Sequence, residues 1–152
     1  MSNAYTSAGT KIFIGADEPA TFDKAGFEAV VWTEIGEVTD LGEFGKEYNI
    51  VNHNPLGTRQ TIKRKGSYDN GAISLNLARD ISDAGQVALL AALDSDDSYS
   101  IKVVLADSAT THLYTTAQVS SFTYNVGGVD SITSGTVALQ IDNEILSEAA
   151  PA

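Results

Sequence analysis

Apolar and polar residues alternate over much of the chain, in short segments separated by glycine, asparagine and aspartate. A period of two is the pattern of strands that bury one face. In one such segment Ile73, Leu75 and Leu77 point one way, whereas Ser74 and Asn76 point the other way. Strands are predicted in this segment, twice between Trp32 and Val51, and at 11–15, 99–105, 111–126 and 130–142.

The period changes to that of a helix in one stretch, over about residues 82–94. Val87 and Leu90 follow at helical spacing, and Asp83 precedes Gln86 in an arrangement that resembles a capping box. A single helix among strands predicts a mainly β fold. We expect an antiparallel β-sandwich or open barrel of six to eight strands, with this helix flanking it.

Two glycine-containing pairs predict hairpin turns. Asn70 and Gly71 can supply the two positive-φ positions of a type I′ turn, and alternating residues stand on both sides of them. Gly127 and Gly128 stand between the last two predicted strands. Each pair therefore predicts that its flanking strands are hydrogen-bonded neighbours.

The length of 152 residues, of which 43% are hydrophobic and 19% charged, predicts one domain over 1–152. Residues 1–8 and 147–152 lack a pattern, so we expect these ends to be flexible. The amino terminus has no features of a signal peptide, and the longest apolar run, 87–93, falls far short of the roughly 20 residues that span a bilayer. The absence of cysteine excludes disulfides and thiolate sites. We expect a soluble protein without membrane contacts.

Charge is unevenly distributed along the chain. Twenty acidic and nine basic residues give a formal net charge of −11. Four of the nine basic residues, Arg59, Lys63, Arg64 and Lys65, lie close together in a polar segment at 49–68 that shows no clear regular structure. A segment of this length without regular structure is usually functional or disordered.

Three interpretations of the basic cluster are open from its charges. It could be a solvated loop that does little. It could bind nucleic acid, but it holds no stacking aromatic residues, and the acidic remainder of the chain repels phosphate. It could also be a docking arm, because a chain with segregated charge is complementary to another copy of itself. Contacts of that kind build rings or filaments.

Residue patterns for catalysis or ligand binding are missing from the sequence. His53 and His112 are the only histidines, and neither has an acid or a second histidine at a ligand spacing. The motifs of serine hydrolases, phosphate-binding loops and dinucleotide-binding folds are absent. The acidic stretch at 94–99 lacks the glycine and the glutamate of a calcium loop. We predict no catalytic, cofactor-binding or metal-binding residues.

The order of these weak signals resembles one family. The segments GTKIFIG, WTEIGEVTDLGEFG, GAISLNLARD, DAGQVALLAAL and SIKVVLAD, followed by two long closing strands, are similar to the tail tube proteins of long-tailed bacteriophages over about Gly9 to Leu146. The resemblance implies a β-sandwich with one helix, six copies of which join their sheets into a ring. Rings stack into a tube, and the loop at 49–68 reaches the adjacent ring. Arg59, Lys63, Arg64 and Lys65 would then lie on the arm that joins ring to ring.

The resemblance also implies a location, a cargo and partners. The protein would be a non-enzymatic structural component of the virion tail, assembled in the host cytoplasm with a tape measure protein, a tail terminator and distal tail proteins. DNA would be a passing cargo, conducted by an acidic lumen for which Glu34, Glu37, Glu43 and Glu47 are candidates by alternation. Tubes of contractile tails and secretion systems share this architecture. A β-sandwich binding module, for example one for carbohydrate, is the alternative from another class.

Overall fold

The computed structural model describes residues 4–148, which form ten strands and two helices. In chain order the elements are β1 (Lys11–Gly15), α1 (Lys24–Glu28), β2 (Trp32–Glu34), β3 (Val38–Asp40), β4 (Glu47–His53), β5 (Ile62–Asp69), β6 (Ala72–Ala78), α2 (Ala84–Leu93), β7 (Tyr99–Val104), β8 (His112–Asn125), β9 (Ser134–Ile141) and β10 (Leu146–Glu148). The predicted mainly β fold is confirmed. Strands β2, β3 and β10 have three residues each, too few to show alternation in the sequence.

The main sheet is antiparallel and open, with the order β2-β1-β7-β8-β9-β6-β3. Strand β8 connects its two halves. The first half of β8 pairs with β7 on one side and with β10 on the other, whereas the second half, from Ala117 to Asn125, pairs with β9. The register shifts between Val119 and Ser121, which indicates a bulge where β8 passes from one half to the other.

One hydrophobic core joins the two halves of the sheet. It contains Ile12 and Ile101 from the first half and Leu75 and Leu139 from the second half, all of them buried. Helix α2 contributes Leu89, which is also fully buried. On the other side of β8, Phe27 of α1 stacks on Tyr114 with 5.1 Å between ring centroids. The sequence pattern missed α1, because a five-residue helix is too short to show a period.

The predicted helix at about 82–94 is confirmed as α2, and its start is fixed by hydrogen bonds to the sheet. The Asp83 carboxylate accepts from the backbone N–H of Gln86, and at 3.0 Å from the N–H of Gly36. The Gln86 side chain is fully buried; its amide donates to the carbonyls of Gly36 and Ala78, and its oxygen accepts from Arg79. These two side chains therefore bind the helix to the ends of β2 and β6.

We expect Asp83→Ala to lower the free energy of unfolding by about 1.5–3 kcal/mol. The substitution removes a helix cap, worth about 0.5–2 kcal/mol, and leaves the N–H of Gly36 without its partner, a loss of about 1 kcal/mol. Urea unfolding of the free subunit measures this change. Asp23→Ala is the matched control, because Asp23 caps α1 without a comparable remote partner and should cost less. Equal losses in the two variants would contradict the bond from Asp83 to Gly36.

The predicted type I′ hairpin at Asn70 and Gly71 is wrong. The flanking strands are not neighbours, since β5 pairs with β4 and β6 pairs with β9 and β3. Gly71 has a φ of +80°, but Asn70 does not have a positive φ, and its side chain donates to the carbonyl of Asn143. The pair is a bend where the chain leaves one sheet and enters the other. Local turn chemistry could not reveal this, because strand pairing is decided by distant residues.

The hairpin predicted between the last two long strands is present, since β8 pairs with β9. Its connection runs over 126–133, and neither Gly127 nor Gly128 has a positive φ. At the carboxyl end, Ser147 and Glu148 lie in β10 and pair with Leu113 and His112, and the flexibility expected of the ends stays a prediction. Of the ends that we expected to be flexible, residues 1–3 and 149–152 lie outside the described residues.

Candidate assembly surfaces

Strands β4 and β5 form a separate two-stranded sheet, which we call the arm (residues 47–69). The arm corresponds to the polar segment that the sequence predicted to lack regular structure, and that expectation is wrong. Nearly all residues of both strands are exposed, so neither face needs the alternation that reveals a half-buried strand. The arm is therefore an extended hairpin that pairs only within itself among residues 4–148.

The four basic residues lie together on the arm. Lys63, Arg64 and Lys65 are consecutive in β5, and Arg59 lies in the connection between β4 and β5. All four side chains are exposed, and none of them forms a salt bridge within the described part of the chain. Lys65 Nζ lies 4.9 Å from the ring centroid of Tyr48. No salt bridge among residues 4–148 thus neutralises the positive charge of these four side chains.

The arm presents a different surface on each face. The registers Ile50 to Lys65 and Asn52 to Lys63 place both lysines on the face that carries Ile50. The register of Val51 to Arg64 places that arginine on the opposite face. Ile50 and Val51, one on each face, are 53% and 56% exposed. Each face therefore combines positive charge with an uncovered aliphatic side chain.

The root of the arm is attached to the body through Glu144. The Glu144 carboxylate accepts a hydrogen bond from the Tyr68 hydroxyl and lies 3.2 Å from Lys46 Nζ. Lys46 Nζ lies 4.3 Å from the ring centroid of Tyr68, so the three groups form one cluster. The hydrogen bond from Tyr68, then that from Lys46, lowers the pKa of Glu144, and the hydrogen bond to Glu144 raises the pKa of Lys46.

We expect Glu144→Gln to loosen the root of the arm. A neutral amide keeps the shape but loses the charge that attracts Lys46, so hydrogen exchange of the amides of 47–69 should become several-fold faster. Because the folded pKa of Glu144 is lowered, its contribution is present above the ordinary value of 4.5 and is lost as the pH falls through the folded pKa. Lys11→Gln, which is outside the cluster, should leave arm exchange unchanged. Unchanged exchange in Glu144→Gln would contradict this attachment.

The four candidate lumen acids do not lie on one element. Glu34 ends β2, Glu37 lies between β2 and β3 with a φ of +60°, Glu43 follows β3, and Glu47 begins β4 at the root of the arm. All four are exposed. The alternation that suggested a common face runs across residues that belong to different strands and connections, so it does not place them on one face. Their place in an assembly stays a prediction.

A different surface is formed by β6, β9 and the second half of β8, on the side of the sheet opposite the core. Successive residues of a strand point to opposite faces, and here one face is buried. We call the other one the neutral face, because it has hydroxyl, amide and methyl side chains but no charged ones. It consists of Ala72, Ser74, Asn76, Ala78, Gln118, Ser120, Ser121, Thr123, Asn125, Ser134, Thr136, Ala138 and Gln140.

The sheet that carries the neutral face has unpaired strand edges on both sides. Residues 118–125 of β8 bond to β9, and their other edge has no strand partner and no further backbone hydrogen bond within residues 4–148. On the far side the last strand is β3, which pairs with β6 at Leu77 and Asn76 and has no second strand partner within residues 4–148. The chain that follows β3 continues along β6, with Gly42 beside Ser74 and the N–H of Gly45 donating to the carbonyl of Asn70. Unpaired edges are templates for pairing with another chain.

Acidic residues surround an open depression near the end of α2. Asp17, Glu18 and Asp97 line it, together with Ser98 and Tyr99. The Ser98 hydroxyl donates to the carboxylate of Asp142. Asp142 lies two residues before Glu144, which holds the root of the arm. These acids have no basic partner within the described residues. The body therefore has unneutralised negative charge, opposite in sign to the arm.

The two histidines are in unlike surroundings. His53 is exposed at the end of β4, whereas His112 is buried, with Nδ1 2.9 Å from the Tyr114 hydroxyl. Burial lowers the pKa of His112. Within residues 4–148, no group of three or more histidine, aspartate or glutamate side chains could hold a metal ion. No helix in the described part of the chain is long and apolar enough to cross a membrane.

Neither protein-family models nor curated proteins match the chain. Solved structures do match it. A chain from the PVC sheath/tube terminator of an extracellular contractile injection system has a TM-score of 0.70 and 11% identity, with 98% of this chain and 99% of that chain covered. A chain from the anti-feeding prophage baseplate also has a TM-score of 0.70, with 10% identity and complete coverage of both chains.

The SPP1 tail tube protein has a TM-score of 0.63 and 16% identity, and the match covers 94% of this chain and 78% of that one. All these identities are low, so the matches compare folds. Over nearly its whole length, the chain has the fold that tail tube proteins share with components of contractile injection systems.

Proposed function

We propose that this protein is a non-enzymatic structural subunit of a phage-type tail tube. The observation that carries the proposal is the match to the SPP1 tail tube protein over 94% of the chain, in a molecule whose basic arm projects from an acidic body. The surfaces described above, which can join copies of the chain, support a structural role more than a catalytic one.

Rings form by joining sheets. The edge of β8 at 118–125 and the outer edge of β3 lie on opposite sides of the four-stranded block β8-β9-β6-β3. Pairing the first edge of one copy with the second edge of the next continues the sheet and removes both exposed edges. We propose that six copies close this sheet into a ring. A single domain over 1–152 is sufficient for this arrangement.

Rings stack through the arm. Its unneutralised Arg59, Lys63, Arg64 and Lys65 bind acidic groups of a copy in the adjacent ring. Ile50 and Val51 become buried in the same contact. The contact joins different patches of identical chains, so it repeats along an axis instead of closing on itself. The acids that surround the depression at Asp17 and Asp97 are candidates for the other side of the contact.

The tube conducts DNA during ejection, as a cargo held by no specific contact. Assembly takes place in the host cytoplasm on a tape measure protein, with terminator and distal tail proteins at the ends, and the product is part of the virion tail. Glu37 and Glu43 flank β3, the strand that pairs with β6, and the carbonyl of Glu37 accepts from the N–H of Ala78, so these two acids border the neutral face. Acids of the lumen would keep phosphate from binding.

A second candidate is a tube or tube-ending component of a contractile injection system. It is favoured by the full-length matches with TM-scores of 0.70, in which the chains compared are nearly equal in length. A tube subunit adds rings without limit, whereas an end component forms one ring and stops. The length of the assemblies separates the two.

Negative-stain electron microscopy of concentrated protein, at several salt concentrations, tests the proposal. We expect rings and tubes of uniform width whose length increases with concentration. Single rings at every concentration would favour the tube-ending candidate. Particles of monomer size under all conditions would contradict both.

A further inference from the structure

The neutral face is unusual for a chain with twenty acidic and nine basic residues. Some of its side chains are hydrogen-bonded within the face. Thr136 Oγ1 donates to Asn76 Oδ1 at 3.0 Å, the Ser120 hydroxyl donates to the carbonyl of Ala138 at 3.2 Å, and the Gln140 side-chain nitrogen lies 3.4 Å from the Ser120 hydroxyl. Hydroxyl and amide groups of neighbouring strands therefore partner one another at two places on the face.

The two unpaired edges fix which way this face points in a ring. Six blocks of four strands, spaced about 4.8 Å apart, give a wall roughly 37 Å across. Six bodies of 16.0 kDa cannot fit inside a bore of that width. The bodies lie on the buried side of the sheet, so they must be outside. The opposite side, which is the neutral face, must then surround the bore.

We infer that the neutral face is the wall of the channel, and that this wall has no fixed charge over most of its area. The inference rests on the proposed function. A highly charged polymer such as DNA passes because the wall offers no lysine or arginine to bind phosphate. The sequence-based expectation of an acidic lumen is replaced by a neutral wall, with acids at its borders.

Charge does come close at one border. Asp40 of β3 pairs in register with Asn76, so its carboxylate lies on the same side of the sheet as the neutral face, at the edge of that face. Ala138, in the middle, has only Ser74 and serines of β8 as cross-strand neighbours. With a Debye length of about 8 Å at physiological salt, the field of Asp40 is mostly screened at Ala138. Position 138 is therefore where a neutral wall should be measured.

Because the chain has no cysteine, one introduced thiol can report on both access and field. Ala138→Cys places a thiol in the middle of the neutral face, and Gln140→Cys is a second position if the first variant folds poorly. Each is compared as free subunits and as tubes verified by microscopy. The reagents are a 20-kDa polyethylene glycol maleimide, for access, and a cationic and an anionic methanethiosulfonate of similar size, for the sign of the local field.

In tubes, we expect the large maleimide to react at least about tenfold more slowly than with free subunits, while the two small reagents still react. The ratio of the cationic to the anionic rate should stay within about threefold of its value in free subunits. Ser74→Asp, directly opposite position 138, is the charged control. One carboxylate at about 6 Å should raise that ratio about tenfold.

Each other outcome contradicts a different statement. Unhindered reaction with the large maleimide, or no reaction with any reagent, would mean that the face does not line an open channel. A tenfold higher ratio in tubes without the Ser74→Asp substitution would overturn the neutral wall. Failure of the unsubstituted chain to form tubes would overturn the proposed function, and this inference with it.

Discussion

The triple substitution Lys63→Glu, Arg64→Glu and Lys65→Glu is expected to abolish tube elongation while the fold stays intact. These side chains are exposed and have no acidic partner among residues 4–148, so the body described there does not depend on them. In the proposed assembly, they meet carboxylates of the next ring. Reversing their sign replaces attraction with repulsion in every arm.

The effect is large because the contact is repeated. An exposed ion pair contributes about 0.3–1 kcal/mol, so three pairs give about 1–3 kcal/mol per arm and roughly 6–18 kcal/mol for six arms. Elongation should stop even at protein concentrations 100-fold above those at which the unsubstituted chain forms tubes. Electron microscopy measures the tubes, and thermal unfolding should shift by no more than about 2 °C.

A matched pair of double variants separates position from net charge. Lys63→Glu with Lys65→Glu and Lys11→Glu with Lys24→Glu change the net charge equally, but Lys11 and Lys24 lie on β1 and α1. The variant with Lys11→Glu and Lys24→Glu should still form tubes. If tubes of ordinary length grew from the triple variant, or if both double variants failed alike, the arm would not be the ring-to-ring contact.

Proline on the free edge of β8 is expected to prevent ring formation. Adjacent residues of an antiparallel strand direct their N–H groups to opposite edges, so Thr123→Pro and Tyr124→Pro remove donors on opposite sides of β8. The proline variant whose lost N–H faces β9 should lose about 3 kcal/mol of its free energy of unfolding or more. The variant whose lost N–H faces the free edge should unfold at nearly the same urea concentration as the unsubstituted chain, yet remain monomeric in sedimentation velocity.

Alanine at the same two positions controls for the lost side chains. Tyr124 contacts Phe122 and lies near Arg79, and these contacts are absent in both Tyr124→Ala and Tyr124→Pro. Both alanine variants should still form rings, because their backbone donors are unchanged. Rings from the stable proline variant would show that this edge of β8 does not join neighbouring copies.

The elements that follow from local pattern could be predicted from the sequence. Helix α2 was predicted from the helical spacing of its apolar residues and from the Asp83 cap, and β1 was predicted with the bounds Lys11–Gly15. The pairing of strands could not be predicted in this way. Asn70 and Gly71 have the composition of a tight turn, but the bond from Asn70 to the carbonyl of Asn143 belongs to a contact 73 residues away along the chain.

The candidate surfaces were predicted in part. The basic cluster was visible as charge, but its hairpin was not, because strands exposed on both faces need no alternation. The neutral face was overlooked, since its residues were noted only as the polar half of each alternating strand. The neutral face could have been found by counting the charged residues on each face of β6 and β9 separately. The four glutamates were grouped by spacing across a region that the backbone divides into several elements.

In the proposed assembly, the positive arm of one copy binds the negative body of another copy. A cryo-electron microscopy reconstruction of assembled tubes, at a resolution that shows side chains, would reveal this contact. We expect nitrogen atoms of Arg59, Lys63, Arg64 and Lys65 to lie within about 4 Å of carboxylate oxygens of a copy in the adjacent ring. An arm that extends into solvent, or that contacts only its own chain, would contradict it.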